Sequence, residues 1–422
     1  MLIIDENMKV LFFAWTPLDP HAPTHGYGGG GWVMTLQKEL NAKGIELGYT
    51  YLGNKDDWYK HDGYSYYVVK AEKKSLKEKF IVGLNPKNTA FEAQRDDICL
   101  KKFQRVVEDF KPDIIHIFGS EQCYGLITKY TEVPVVIHLQ GILNVYWNAY
   151  LTPGVSLATY CLQTLNPKAI WARYQQYWEW YRICAREREI LMNCKYFIGR
   201  TDWDKGCANV LAKHFKYFYG SEMLRDAFHN APVRQQPAKL TIVTTSSAAV
   251  YKGYDMLLKT AKVLKESIGD NFVWKVYGNV DPSFYEKFFH IRHEDVNVEL
   301  CGVATPQQLV ESFSQCTLYF HPSYIENSPN SVCEAQLSGC PIVACFIGGN
   351  ESLVKHGEEG FLVPANDPYM AASRILQLYR DRELNKKMGD ASKKTAGMRH
   401  DRQTIVCGLI DIFKQIIEAE KK

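Results

Sequence analysis

The chain has 422 residues, 46% hydrophobic and 23% charged, enough to bury two or three domain-sized cores. Fifty Lys and Arg against 47 Asp and Glu leave a formal charge of +3, which excludes bulk nucleic-acid binding through a strongly basic face. No apolar run reaches the roughly 20 residues of a membrane-spanning helix, and Asp5 and Glu6 stand where a secretory signal would carry Lys or Arg. The 12 cysteines are scattered from Cys99 to Cys407 without a C-x-x-C pair, so neither zinc nor thioredoxin-type spacing is present. Cys301, Cys316 and Cys345 lie in apolar runs and read as buried, reduced thiols of a cytosolic protein.

In chain order, residues 9–15 predict a short apolar strand. A loop with Pro17, Pro20 and Pro23 follows, then the run Gly28 to Gly31 and a helical pattern over 32–42. Helical stretches at 98–110 and 123–130 lead into strands at 114–118 and 133–139, and a longer helical region leads into 195–199. A second series starts with a strand at 240–245 and a helix at 254–265. It continues with strands at 272–277, 296–300, 317–321, 341–345 and 360–363. Continuously apolar strands alternating with amphipathic helices predict parallel sheets covered on both faces, with right-handed crossovers. The expectation is an α/β chain of two Rossmann-like domains facing across a cleft. They span 1–235 and 236–400, joined near the proline-flanked segment 231–237, with a helix over 401–422 packing back on the first domain.

The segment 142–191 breaks this alternation. Within it Trp171, Tyr174, Trp178 and Tyr181 recur at i, i+3, i+7 and i+10, on one helix face. Such a stripe reads first as core under a neighbouring helix, and second as a platform for a sugar or lipid-linked acceptor.

Chemistry concentrates in His321-Pro-Ser-Tyr-Ile-Glu326-Asn-Ser-Pro-Asn330-Ser-Val-Cys-Glu334 and its continuation to Ala344. A strand ends at His321, a loop carries Glu326, and a helix starts near Pro329, with Ser328 as the expected cap. The first amides of that helix, at Asn330 and Ser331, suit a phosphate. Glu334, one turn further in, can accept hydrogen bonds from the two hydroxyls of a ribose. Arg200-Thr-Asp-Trp-Asp204 opens another helix after a strand, with Asp202 read as a cap and a ligand role for Arg200 the lesser reading. His116 reads as structural.

These residues resemble the retaining glycosyltransferases of the GT-B fold, family 4 (glycosyl transferases group 1). The resemblance rests on E-x7-E from Glu326 to Glu334, then on Glu334-Ala335, Gly339 and Pro341-Ile342-Val343. It extends to Gly348-Gly349-Asn350-Glu351, Gly360-Phe361-Leu362-Val363 and, upstream, Lys252-Gly253. It implies a sugar moved with retained configuration from a nucleotide-diphosphate donor, UDP- or GDP-linked, to a carbohydrate or lipid-linked acceptor. It further implies no cofactor and no metal, a role in cell-surface polysaccharide or glycoconjugate biosynthesis, and a cytoplasmic protein with possible peripheral membrane contact.

Residue by residue, Glu334 would hold the ribose and Glu326 the donor-sugar hydroxyls near the reacting carbon. Asn330 and Ser331 would offer amides, Val303 would meet the nucleobase, and Lys252 would neutralise the departing diphosphate. Gly29 and Gly30 would let the first domain approach the diphosphate, with Gly28, His138 and Trp147 on the acceptor side. Two departures stand out. The family's arginine before the lysine is missing, and hydroxyls such as Ser246 replace it; Gln140 stands where the family has a histidine and is the favoured donor-sugar contact beside Glu326 and Lys252, while His138 also reads as a satisfied strand residue. No second carboxylate is evident on the acceptor side, so the resemblance implies a front-face reaction in which the departing phosphate helps deprotonate the acceptor. Two rivals remain: a sugar-nucleotide epimerase of the same architecture, and a catalytically silent nucleotide-sugar-binding subunit of a polysaccharide-assembly complex.

Overall fold

In the first strand, β1 (Lys9–Phe13), alternate side chains serve two cores: Val10 and Phe12 enter one, Leu11 and Phe13 the other. The structure, a computed structural model, describes residues 8–15 and 31–421. Around β1 are β2 (Glu46–Gly53), β3 (Asp57–His61), β4 (Tyr64–Lys70), β5 (Ile114–Phe118), β6 (Val135–His138), β7 (Tyr196–Gly199) and β8 (Lys216–Tyr219). They form one sheet ordered β3-β4-β2-β1-β5-β6-β7-β8. The second sheet has β9 (Leu240–Thr245), β10 (Phe272–Tyr277), β11 (Val298–Gly302), β12 (Leu318–His321), β13 (Ile342–Cys345) and β14 (Gly360–Val363). Their order is β11-β10-β9-β12-β13-β14. All ladders are parallel except β3 with β4.

The β3–β4 hairpin and the strands β2 and β8 are absent from the sequence reading. The hairpin has a two-residue connection, Asp62-Gly63, with both residues at positive φ (49° and 82°), the mirror-image turn that matches strand twist. Asp-Gly between tyrosine-rich runs is the signal that was available.

Each sheet has a core on either face. Leu318, Phe320, Val343 and Cys345 face one side of the second sheet, and Tyr319, Ile342 and Ala344 the other. Cys316 and Cys345 are buried, but Cys301 is exposed on the edge strand β11, contrary to the sequence reading. Leu224 and Phe228 already pack with the second domain's core, so the chain crosses over ahead of residue 235. Arg234 then anchors the segment to the carbonyls of Cys316 and Gly339.

The final helix, Arg402–Glu420, returns to the first domain. Val406, Ile410, Phe413 and Ile416 share a core with Trp32 and Leu36 of the helix Gly31–Ala42, and Glu420 accepts from the Tyr196 hydroxyl at 2.8 Å. Both sheets therefore present their carboxyl ends to one crevice. The order reverses there, between β1 and β5 in the first sheet and between β9 and β12 in the second, which is where open α/β sheets take ligands.

Phe413 is fully buried in that shared core. Phe413→Ala is expected to destabilise the first domain by about 3–5 kcal/mol, read as a lower urea midpoint for that domain's unfolding transition.

Candidate functional site

The loop between β12 and the helix Asn330–Leu337 carries the central groups. Its fold is imposed by close backbone contact: Gly348, at φ 50°, lies so near Glu326 that a Cβ there would fall 1.8 Å from the Glu326 carbonyl oxygen. Glu326 is buried, and its carboxylate is ion-paired with the Lys252 Nζ, which arrives from the loop after β9. Burial alone would lower the Lys252 ammonium, but Glu326 and nearby phenols hold it above its ordinary value. The cation is therefore fixed as a cation at the mouth of the crevice.

Asn327 ties this loop to the first domain. Its amide donates to the Tyr146 hydroxyl at 3.0 Å, its side-chain oxygen accepts from Thr201 at 2.6 Å, and its side-chain nitrogen donates to Asp204 at 2.8 Å. Thr201, not Asp202, caps the helix Asp202–Leu211, because its hydroxyl accepts the Asp204 amide; Asp202 instead receives the Tyr219 hydroxyl at the surface.

Ser328 is also not the cap expected for its helix. Its hydroxyl donates to the Glu222 carboxylate at 2.8 Å, and Pro329 occupies the capping position with no side-chain bond. The amides of Asn330 and Ser331 make no hydrogen bond among the described residues and open toward the crevice end of the sheet. Glu334 lies in the next turn, held by a two-point pair with Arg225 at 2.9 Å for each bond. Burial pushes its carboxyl up to about 7, against the pull of Arg225.

The remaining expected residues fall as follows. Gly28, Gly29 and Gly30 lie outside the described residues. The Ser246 hydroxyl sits buried at the end of β9 without a partner. Val303 is exposed beyond β11 and lines a cavity of about 650 Å³ shared with Tyr277, Gln308 and Gln235. Lys252, Glu326 and Glu334 do not line that cavity, so it is separate from the charged cluster. Gln140 accepts from Arg200 at 2.8 Å.

His138 lies enclosed at the end of β6. It is 2% exposed, stacked on His116 and set edge-on to Trp32, and burial lowers its pKa well below the ordinary value. Trp147 packs on Tyr177 at 4.3 Å. The stripe of four aromatics is not core either. On the helix Pro167–Asn193 the buried residues are Arg182, Cys184, Glu187, Ile190 and Leu191, while Trp171 is half exposed and Tyr174, Trp178 and Tyr181 are partly exposed.

The sequence reading did not single out Glu121, Glu222 or Arg225, which the structure gathers with Arg200 near the Glu326 loop. Arg200 follows β7 directly, and its guanidinium touches Gln140, stacks over Trp32 and pairs with Glu222. Glu121 follows β5 at the carboxyl end of the first sheet. Burial, with the charge of Glu187, pushes it up to about 7, and its charge reaches Tyr146 and Tyr251. Strand ends of a parallel sheet collect ligand groups, and that position after β5 and β7 was the available signal. Glu222, Cys333 and His400 form a buried trio of potential metal ligands, but the Glu222 carboxylate already accepts from Ser328 and Cys333 and faces the fixed charge of Arg200.

Two parallel-sheet domains closing strand ends on one crevice define the GT-B architecture, and solved glycosyltransferases share it. Sucrose-phosphate synthase from Thermosynechococcus elongatus superposes with a TM-score of 0.70 at 16% identity, covering 97% of this chain and 100% of that one. Anabaena HepE in complex with UDP and glucose gives 0.63 at 14%, covering 96% and 99%. Residues 228–395 match the family described as Glycosyl transferases group 1. The D-inositol 3-phosphate glycosyltransferase of Corynebacterium diphtheriae is 37% identical over 91 residues, 22% of this chain and 21% of that protein. The matched stretches span between 20% and 45% of the length of such curated relatives.

Glu222 offers a test of the knot between the domains. Burial would raise its carboxyl, but Arg200 and His400 outweigh that and hold it down from 4.5 to about 2. A lowered pKa means its stabilisation is complete above pH 4.5 and fades as pH falls toward 2. Glu222→Gln, which leaves Arg200 buried without its acid, is expected to cost about 3–5 kcal/mol near neutrality. The melting-temperature gap to the unaltered chain should close as the pH is taken down through that window.

Proposed function

We propose that this chain is a retaining glycosyltransferase that moves a sugar from a nucleotide-diphosphate donor to an acceptor hydroxyl, without a metal. The observation that carries the reading is the Lys252–Glu326 pair at the mouth of the helix Asn330–Leu337, with two unbonded amides and Glu334 within the next turn. Diphosphate charge suits the helix start and Lys252, and both act on charge that grows as the leaving group departs. The donor would displace Lys252 from Glu326, freeing that carboxylate for sugar hydroxyls. Glu334, oriented by Arg225, would take the ribose.

The arginine missing beside Lys252 has a substitute in this reading. Arg200 brings a cation from the first domain, and the unpartnered Ser246 hydroxyl adds a donor. Glu121 would lie on the acceptor side, where an ionised carboxylate can accept a hydrogen bond from a neighbouring acceptor hydroxyl and so orient the attacking one, whose single proton passes to the departing phosphate. That HepE has been solved with UDP and glucose, and that the curated relatives are glycosyltransferases by name, supports a nucleotide-sugar donor and a carbohydrate-class acceptor. Work in the cytoplasm on a cell-surface polysaccharide or glycoconjugate is part of the same proposal.

UDP- and GDP-sugars should raise the melting temperature of the chain, since a ligand bound only to the native state stabilises it. Lys252→Ala and Glu326→Ala should each lower kcat about 10²–10³-fold in a transfer assay. Undiminished turnover in either would sink the assigned roles, and binding without turnover in the unaltered chain would favour the silent-subunit reading.

The Glu121 carboxyl, at about 7, is protonated below that pH and ionised above it. The acceptor kcat/KM should therefore climb with pH through about 7 and level off, and Glu121→Gln should remove the climb. A profile unchanged by the substitution would take Glu121 out of the reaction.

A further inference from the structure

The helix Leu76–Leu84 presents its apolar residues outward. Its inner face is Glu78, paired with Arg95, and Val82, both buried. Leu76, Phe80 and Leu84 recur at i, i+4 and i+8 and are 84%, 67% and 73% exposed. A surface helix ordinarily shows the reverse pattern. The patch continues onto the long helix Pro167–Asn193. Trp171 lies against Gly83, where a Cβ would fall 2.5 Å from its ring, and Leu165, just before the helix, is almost fully exposed.

Lysines frame these side chains. Lys73, Lys77, Lys79 and Lys87 are exposed, and among the described residues no carboxylate pairs with the first three. The acids beside them are taken: Glu78 by Arg95 and Glu179 by Lys74.

We propose that this face docks on the surface of an anionic phospholipid bilayer, with Leu76, Phe80, Leu84 and Trp171 entering the acyl boundary and the lysines meeting headgroup phosphates. A short helix with bulky apolar groups on one side and lysines flanking them has the composition of an interfacial anchor. Each lysine near such a surface adds attraction, and its aliphatic stem lies along apolar neighbours. No described helix is long and apolar enough to cross a membrane, so the contact is one of lying on the surface. Self-association through the same face would set two lysine groups against each other, which disfavours a second copy as the occupant.

The patch also leads toward the charged cluster. Ring contacts run from Trp171 to Tyr174, Trp178, Tyr177 and Tyr150, then to Trp180 and to Tyr251 beside Lys252, each step 5.3–6.4 Å between centroids. On the transfer reading above, a lipid-linked acceptor would reach the crevice along these rings. The docking itself does not depend on that reading.

Co-sedimentation of the full chain with vesicles made of equal parts phosphatidylglycerol and phosphatidylcholine, against phosphatidylcholine alone, tests the proposal. The chain should pellet with the anionic vesicles only. The double variant Leu76→Ser with Phe80→Ser, and the triple variant Lys73→Glu, Lys77→Glu and Lys79→Glu, should each bind about tenfold or more weakly. All five positions are exposed, so melting temperature and its rise with donor should stay unchanged, which reads docking separately from the transfer function. The proposal is overturned if the unaltered chain stays in the supernatant, if the variants bind equally, or if the face proves to hold a dimer that the serine variant dissolves.

Discussion

Asn327 commits its amide, its side-chain oxygen and its side-chain nitrogen to the first domain, through Tyr146, Thr201 and Asp204. It stands between Glu326, which faces Lys252, and Ser328, which bonds Glu222. One loop of the second domain is thus fixed from outside that domain. Buried polar groups left without partners cost about 1–3 kcal/mol each, so separating the domains would expose or orphan at least four of them at once. The geometry of the charged cluster and the relative placement of the two sheets are for that reason one property and not two.

The buried acids divide by their partners. Glu222 has a fixed cation, a hydroxyl and a neighbouring imidazole, and stays ionised far below neutrality. Glu334 has one cation and little else, and Glu121 has mainly its own backbone, so burial carries both up to about 7. Similar side chains thus serve opposite ends. A carboxylate held down fastens structure at every physiological pH, whereas one poised near neutrality responds to the charge of whatever binds beside it.

How much of this was legible in the sequence depended on how far apart the partners stand. Strands such as 114–118, 240–245 and 360–363 are short, largely apolar or β-branched runs, and the structure has them at those bounds. The loop-and-helix pattern around Glu326 and Glu334 is local too, and so it could be read. The hairpin at Asp62-Gly63 was missed because β3 (Asp57–His61) is a half-buried edge strand mixing aromatic and charged residues, without an apolar run to mark it. Thr201 and Asn327 are 126 residues apart, and nothing in either neighbourhood names the other. Ser328 followed the local preference for a cap until a tertiary partner, Glu222, took its hydroxyl. The aromatic stripe had the period of a core helix, but the helix buries residues only from Arg182 onward, and the stripe stays partly exposed.

Arg200 adds a consequence to the proposed chemistry. A cation carried on the same domain as Lys252 would act on a bound diphosphate whether or not the domains were together. Arg200 instead follows β7 of the first sheet, and Glu222 and Ser328 link it to the start of the helix Asn330–Leu337. On the proposed transfer reading, the Arg200 cation, partly offset by Glu222, would add to that of Lys252 only with the two domains together. On that reading the donor would be activated late, after closure had excluded water, and carrying the second cation on the other domain would restrain hydrolysis.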